Sequence, residues 1–275
     1  MRRRSPTTGY DFGNKRQYRR DIWATARRWT GGRSKKEMQC LLMPSIEGDE
    51  IEVALSNGFI QKNLHVVDEN SAIVAHLKRR WPFIKTYGVE LAHALNKMWY
   101  QKIKLDVVNL DLCGPVTGDL LKRLFALSSF DLLNDSAIVF VTFLRGRERP
   151  NVWSWFTESI SWLKDEFGPD PSSPLLDALA PGGTVIDRMR EMSIYFALMG
   201  TDDVEKKLSM PEDLGNYNQS ARNVHIYAGK TYRSTAGNQT MRWVGFNTHK
   251  RPCVCQLCVS WHRCLTKIAQ QRERV

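Results

Sequence analysis

Residues 41–70 read LLMPSIEGDEIEVALSNGFIQKNLHVVDEN. The stretch opens on an apolar run, Leu41-Leu42-Met43, that breaks at Pro44-Ser45-Ile46-Glu47-Gly48. Ile51, Val53, Ala54 and Leu55 then recur at helical spacing until Asn57-Gly58, a helix-stop pair. A second apolar run, Leu64-His65-Val66-Val67, ends on Asp68. Strand, loop, helix, strand, acid is the first half of a nucleotide-binding α/β unit. Asp68 stands 20 residues after Gly48, the spacing at which an acid at the second strand tip meets a ribose. The same residues allow a plainer reading, in which Ser45 caps the first helix and Asp68 or Asn70 caps the next.

The α/β rhythm continues on both sides. Strands are expected over 39–43, 64–67, 84–88, 105–110 and 136–143, with helices over 49–56, 70–80, 89–98 and 117–127 between them. The run at 105–110 is apolar throughout, as in a strand covered on both faces. A helix is expected at 153–167, where Trp153, Trp155 and Trp162 read as core residues. A Pro/Ser-rich break at 168–174 follows, then helical patterns at 175–179 and 185–198 and a polar stretch at 201–222. Runs at 224–232 and 240–246, joined by Ala236-Gly237-Asn238, read as an antiparallel hairpin.

Five parallel strands closed by a terminal hairpin resemble the class I S-adenosylmethionine-dependent methyltransferases, whose Rossmann-like sheet ends in an antiparallel seventh strand. The resemblance spans residues 38–247. It implies an α/β fold with a mostly parallel seven-stranded sheet, and S-adenosylmethionine at the carboxyl ends of the strands. By resemblance, Pro44, Ser45, Glu47 and Gly48 would cradle the methionine portion. Asp68 and Asn70 would meet the ribose. Asp111 would contact the cofactor amine or orient a substrate. The loop departs from the family's glycine-rich form, having one glycine in five residues. Strand four closes on Asn109-Leu110-Asp111-Leu112-Cys113-Gly114-Pro115, without the Asp/Asn-Pro-Pro-aromatic sequence of amino-methyltransferases. Cys113 is either a nucleophile, as in pyrimidine C5 methylation, or an inert core thiol.

Charge is partitioned along the chain. Residues 1–36 hold 12 Lys/Arg against 2 Asp/Glu, and residues 217–275 hold 10 against 1, in a protein of net charge +11. Two basic arms around an acidic middle suggest a polyanion, most simply RNA or DNA. In the first arm Tyr10, Phe12, Tyr18, Trp23 and Trp29 are interleaved with Arg and Lys. Aromatic faces there could stack on unpaired bases, or a helix over 19–29 could dock on the core through Ile22, Trp23 and Ala26.

The last segment carries Cys253-x-Cys255-x₂-Cys258-x₅-Cys264, with His262 and His249 nearby. Close-set thiolates and imidazoles suit tetrahedral zinc. The expected ligands are Cys253, Cys255, Cys258 and Cys264, with His262 as an alternative.

Three regions are therefore expected: a basic arm (1–37), a methyltransferase-like domain (38–247) and a Cys-rich basic tail (248–275). No apolar run is long enough for a membrane span, and no apolar core follows Met1-Arg2-Arg3-Arg4 to make a secretory signal. An intracellular protein, cytoplasmic or nuclear, is expected. The leading functional expectation is methyl transfer to nucleic acid. The alternative is a catalytically inactive module of the same fold that binds nucleic acid or a protein partner in a larger assembly, of viral or mobile-element origin.

Overall fold

The computed structural model describes residues 13–29, 33–111, 114–145, 185–199, 222–233 and 240–250. Its elements in chain order are α1 (Gly13–Arg28), β1 (Cys40–Leu42), α2 (Asp49–Ser56), β2 (Leu64–Val67), α3 (Ser71–Arg80), β3 (Lys85–Tyr87) and α4 (Leu91–Tyr100). There follow β4 (Leu105–Asp111), α5 (Gly118–Ser129), β5 (Leu133–Leu144), α6 (Val185–Met199), β6 (Asn223–Arg233) and β7 (Thr240–His249). The strands form one seven-stranded sheet in the order β3-β2-β1-β4-β5-β7-β6. The first five run parallel, and β7 pairs antiparallel with both β5 and β6. This is the Rossmann-like mixed sheet with a reversed seventh strand that the sequence resemblance implies.

Local chemistry sets the element ends. Asn70 caps α3 by accepting from Ala72 N at 3.0 Å, and Thr117 caps α5 by accepting from Leu120 N. Gly48 precedes α2 at φ 69°, and Gly58 ends the turn after α2 at φ 93°. Gly48 also makes a close approach: a Cβ there would lie 2.3 Å from the Trp81 indole. Trp81 thus fills the space beside the single loop glycine.

Two apolar layers cover the sheet. One packs α4, α5 and α6 around Leu41, Val108, Val139 and Val141. The other packs α1, α2 and the end of α3 around Leu42, Val66, Val107 and Phe140. In the second layer Tyr18, Ile22, Trp23, Ala26 and Trp29 of the basic arm are all buried. That corrects one expectation. Tyr18, Trp23 and Trp29 are core residues and present no face to a base, whereas Ile22, Trp23 and Ala26 do dock the helix. Tyr10 and Phe12 lie outside the described residues.

Ion pairs fasten α6 to the sheet. Arg242 of β7 pairs with Glu191 of α6, and Arg145 grips Asp187 of α6 through two hydrogen bonds of 2.9 and 2.6 Å. At the opposite end of the sheet Asp106, 1% exposed, accepts from Gln39 N, Asn134 and Arg33, tying β1, β4 and β5 together. The expected helices at 153–167 and 175–179, the hairpin turn at 236–238 and nearly all of the polar stretch at 201–222 lie outside the described residues. No helix among those described is long and apolar enough to cross a membrane.

Candidate functional site

Parallel strands present their carboxyl ends, and the loops that follow, on one edge of the sheet. That edge carries residues 43–48 after β1, Asp68 after β2, Gly88 after β3 and Asp111 at the tip of β4. Ligands of open α/β sheets bind there. The register sets Asn109 beside Leu42 and Asp111 beside Thr142. The side chains of β1, β4 and β5 that converge at this edge are therefore fixed by the pairing of strands that are distant in sequence.

A buried polar constellation assembles on that frame. Glu50, in the first turn of α2, is 1% exposed. Its Oε1 accepts from Asn109 Nδ2 at 2.5 Å. Burial pushes the Glu50 carboxyl up to about 7, against the lowering effect of the Asn109 hydrogen bond, with nearby Asp111 raising it further. Asp111 pairs with Lys15 of α1 at 2.8 Å. Tyr18, one turn along α1, shares a hydrogen bond with the Thr142 hydroxyl and stacks on Tyr232 at 5.2 Å between ring centroids. Burial, and then Asp111, hold the Tyr18 phenol well above its ordinary range. Arg19 reaches the loop after β1, donating to Asp49 at 2.9 Å and to Ser45 Oγ at 3.4 Å. Helix α1 thus closes over the ends of β4 and β5 and clamps the β1 loop.

The expected cofactor residues occupy different parts of this edge. Pro44 is buried, and Ser45 is held by Arg19 rather than capping α2. Glu47 is exposed, and its carbonyl accepts from Arg80 at 2.8 Å. Gly48 turns the chain into α2 and packs on Trp81. Asp68 accepts from Asn70 N at 2.7 Å, and Asn70 in turn caps α3. Burial raises the Asp68 carboxyl above its ordinary value despite that hydrogen bond. Asp68 stands two strands from Asp111, roughly 10 Å at ordinary strand spacing. The structure gathers the β1 loop and Asp111 under α1, and sets Asp68 apart across β1.

Cys113 lies outside the described residues, as do Cys253, Cys255, Cys258, His262 and Cys264. Among the described residues no group of three or more His, Cys, Asp or Glu is placed to hold a metal. Sequence reasoning missed Lys15, Tyr18, Glu50, Asn109 and Thr142. For Tyr18 a signal existed: Tyr18, Ile22, Ala26 and Trp29 recur at helical spacing, the mark of a core-facing stripe. Glu50 gave no such sign, because an acid in a first helical turn is ordinarily an exposed partner of the helix dipole.

No protein-family model matches the chain, and no curated protein matches it by sequence. Solved structures are similar in shape. Trm5b from Pyrococcus abyssi matches at TM-score 0.40 and 12% identity, over 85% of this chain and 48% of that one. TrmN from Thermus thermophilus matches at TM-score 0.43 and 10% identity, over 87% and 49%. The N-methyltransferase NodS from Bradyrhizobium japonicum matches at TM-score 0.43 and 10% identity, over 87% and 98%. The chain thus spans about half the length of Trm5b and TrmN. The strand order itself is that of a Rossmann-like sheet with a reversed seventh strand.

Proposed function

We propose that this protein is an S-adenosylmethionine-dependent methyltransferase acting on nucleic acid. One observation carries the reading. The carboxyl edge of a sheet ordered β3-β2-β1-β4-β5-β7-β6 holds an acid at the β2 tip and a buried Glu50–Asn109, Lys15–Asp111 constellation at the end of β4. The residues fit such a cofactor. Among the described residues Asn109 Oδ1 and Arg19 Nε are buried without a hydrogen-bond partner, which is costly unless a ligand supplies one. Arg19 Nε would suit the methionine carboxylate beside the β1 loop. Asp68 would take the ribose hydroxyls, and Asn109 the amine.

When bound, the cofactor supplies a methyl group on a sulfonium centre that is already electrophilic. The protein's share is then positioning and proton handling. Asp111, fixed by Lys15, would orient the acceptor through its carboxylate. Glu50, whose carboxyl burial raises to about 7, would take the proton that the acceptor releases. Thr142 and Tyr18 would hold the wall of β5 in place. The basic arms point to the polyanion as the substrate carrier. The Cys253–Cys264 segment would bind zinc and steady the basic tail.

The test is transfer of labelled methyl from S-adenosylmethionine to mixed-sequence RNA and DNA oligonucleotides. The expected result is incorporation by the wild type and a loss on the order of 10²-fold in Asp111→Asn, the scale of a misplaced acceptor. A second reading, a binding module without catalysis, draws on two observations: Lys15 already engages Asp111, and Trp81 fills the space beside Gly48. Oligonucleotide binding with no incorporation into either nucleic acid would establish it instead.

A further inference from the structure

The edge of the sheet opposite the candidate site carries a cationic cavity of about 460 Å³. Arg27 enters it from the last turn of α1, and Arg33, Lys35 and Lys36 from the segment leading into β1. Ser34 and the end of α2 complete the wall, and among the described residues no carboxylate lines it. Arg33 is immobilised, donating from Nη1 to both oxygens of Asp106 at 2.8 and 3.1 Å. Arg27, Lys35 and Lys36 have no acidic partner among the described residues.

Two helix C-termini end here, which ordinarily disfavours an anion. The α2 end is quenched, however: Ser56 Oγ and Asn57 Nδ2 both donate to Val53 O at 2.8 Å. The α1 end carries its own cations, Arg27 and Arg28. Lys62 before β2 and Lys102 before β4 are exposed on the same edge, one strand to either side of the cavity. Glu37 and Asp135 are exposed acids on the same edge. Asp131, also on this edge, is engaged by Lys104 and Lys250. Cations that converge on one concavity, continue across neighbouring strands and, Arg33 apart, have no acidic partner among the described residues match the regularly spaced phosphates of a polynucleotide.

We infer that this cavity is a phosphate-binding site for the backbone of a nucleic acid, on the edge of the sheet away from the proposed chemistry. The inference rests on the nucleic-acid part of the functional reading and not on methyl transfer. A strand held here would be anchored behind the catalytic edge, so that binding and modification use separate surfaces.

The experiment uses the full chain and a fluorescein-labelled single-stranded 30-mer, with anisotropy titrations across a salt series. Each phosphate contact adds roughly 0.7 to the slope of log affinity against log salt for single strands. The triple variant Arg27→Gln/Lys35→Gln/Lys36→Gln should therefore lower that slope by about 2. Each single variant should lower it by about 0.7, which keeps the test open if the triple variant folds poorly. A slope equal to the wild type's in the folded variants overturns the site. So does a variant that loses binding of inorganic pyrophosphate while its oligonucleotide slope is unchanged, since that outcome assigns the cavity to a free anion. Calorimetric titration with S-adenosylmethionine separates the two proposals: it should be the same in wild type and variants. Absence of cofactor binding alongside the expected slope change would overturn the methyltransferase reading and leave the phosphate site standing.

Discussion

Replacing Glu50 by Gln separates the charge of the buried constellation from its shape. The amide keeps an oxygen to accept from Asn109 and is nearly isosteric with the acid. In the folded protein burial moves the carboxyl from 4.5 to about 7. Between those values the folded state holds a proton that the unfolded chain releases, so stability falls as pH rises through the window. Above the folded value the penalty is complete. Each unit is worth about 1.4 kcal/mol, which makes the whole penalty about 3 kcal/mol. Glu50→Gln should therefore match the wild type near pH 4.5 and exceed it by about 3 kcal/mol at pH 8. Urea denaturation at several pH values, with the slope against urea held common, measures the difference. A variant no more stable than the wild type at pH 8 would refute the idea that Glu50 is buried as an acid straining to stay neutral. A gap that does not change with pH would refute it equally.

Further outcomes follow from the same physics. His65 is buried, with Nε2 2.9 Å from Gln39 Oε1 and Nδ1 3.1 Å from the Tyr87 hydroxyl, and burial lowers it from 6.5 to about 3. The unfolded chain takes up the proton first, so acidification from 6.5 toward 3 should remove roughly 4 kcal/mol of stability, and His65→Asn should flatten that limb in denaturation experiments. Gly48→Ala should cost about 2–4 kcal/mol, from its left-handed backbone and the collision with Trp81; in a Trp81→Leu background thermal melts should show only the backbone share, about 1 kcal/mol. Elemental analysis of the full chain should find one zinc per molecule, lost in Cys255→Ser/Cys258→Ser; purified protein without zinc would contradict the ligand assignment made from the Cys spacing.

The parts of the fold that were legible in the sequence are those where local chemistry agrees with the tertiary result. Helix α2 runs from Asp49 to Ser56 and β2 from Leu64 to Val67, as the apolar spacing and the Asn57-Gly58 stop indicate. The reversed seventh strand followed from the hairpin pattern. Helix α1 was harder, because alternating cations and aromatics describe both a base-stacking arm and an amphipathic helix. The spacing of Tyr18, Ile22, Ala26 and Trp29 decides for the helix, and Trp23, packed edge-on against Phe59, confirms the burial. The site was legible only in outline. Asp68 at a strand tip can be read from one run of residues. The Lys15–Asp111 and Glu50–Asn109 contacts join elements far apart in the chain, and no local pattern announces them. Gly48 was read as part of a cofactor loop, and the neighbour that demands a glycine there, Trp81, lies just after α3, 33 residues along the chain.

The central claim is that the carboxyl edge binds S-adenosylmethionine, and isothermal titration of the full chain with that compound tests it most directly. The expected result is saturable binding at one molecule per chain, with affinity lowered at least tenfold in Asp68→Ala, about 1.4 kcal/mol for the lost ribose contact. A wild-type protein that releases no heat across the titration, and shows no thermal stabilisation by millimolar cofactor, would contradict the claim.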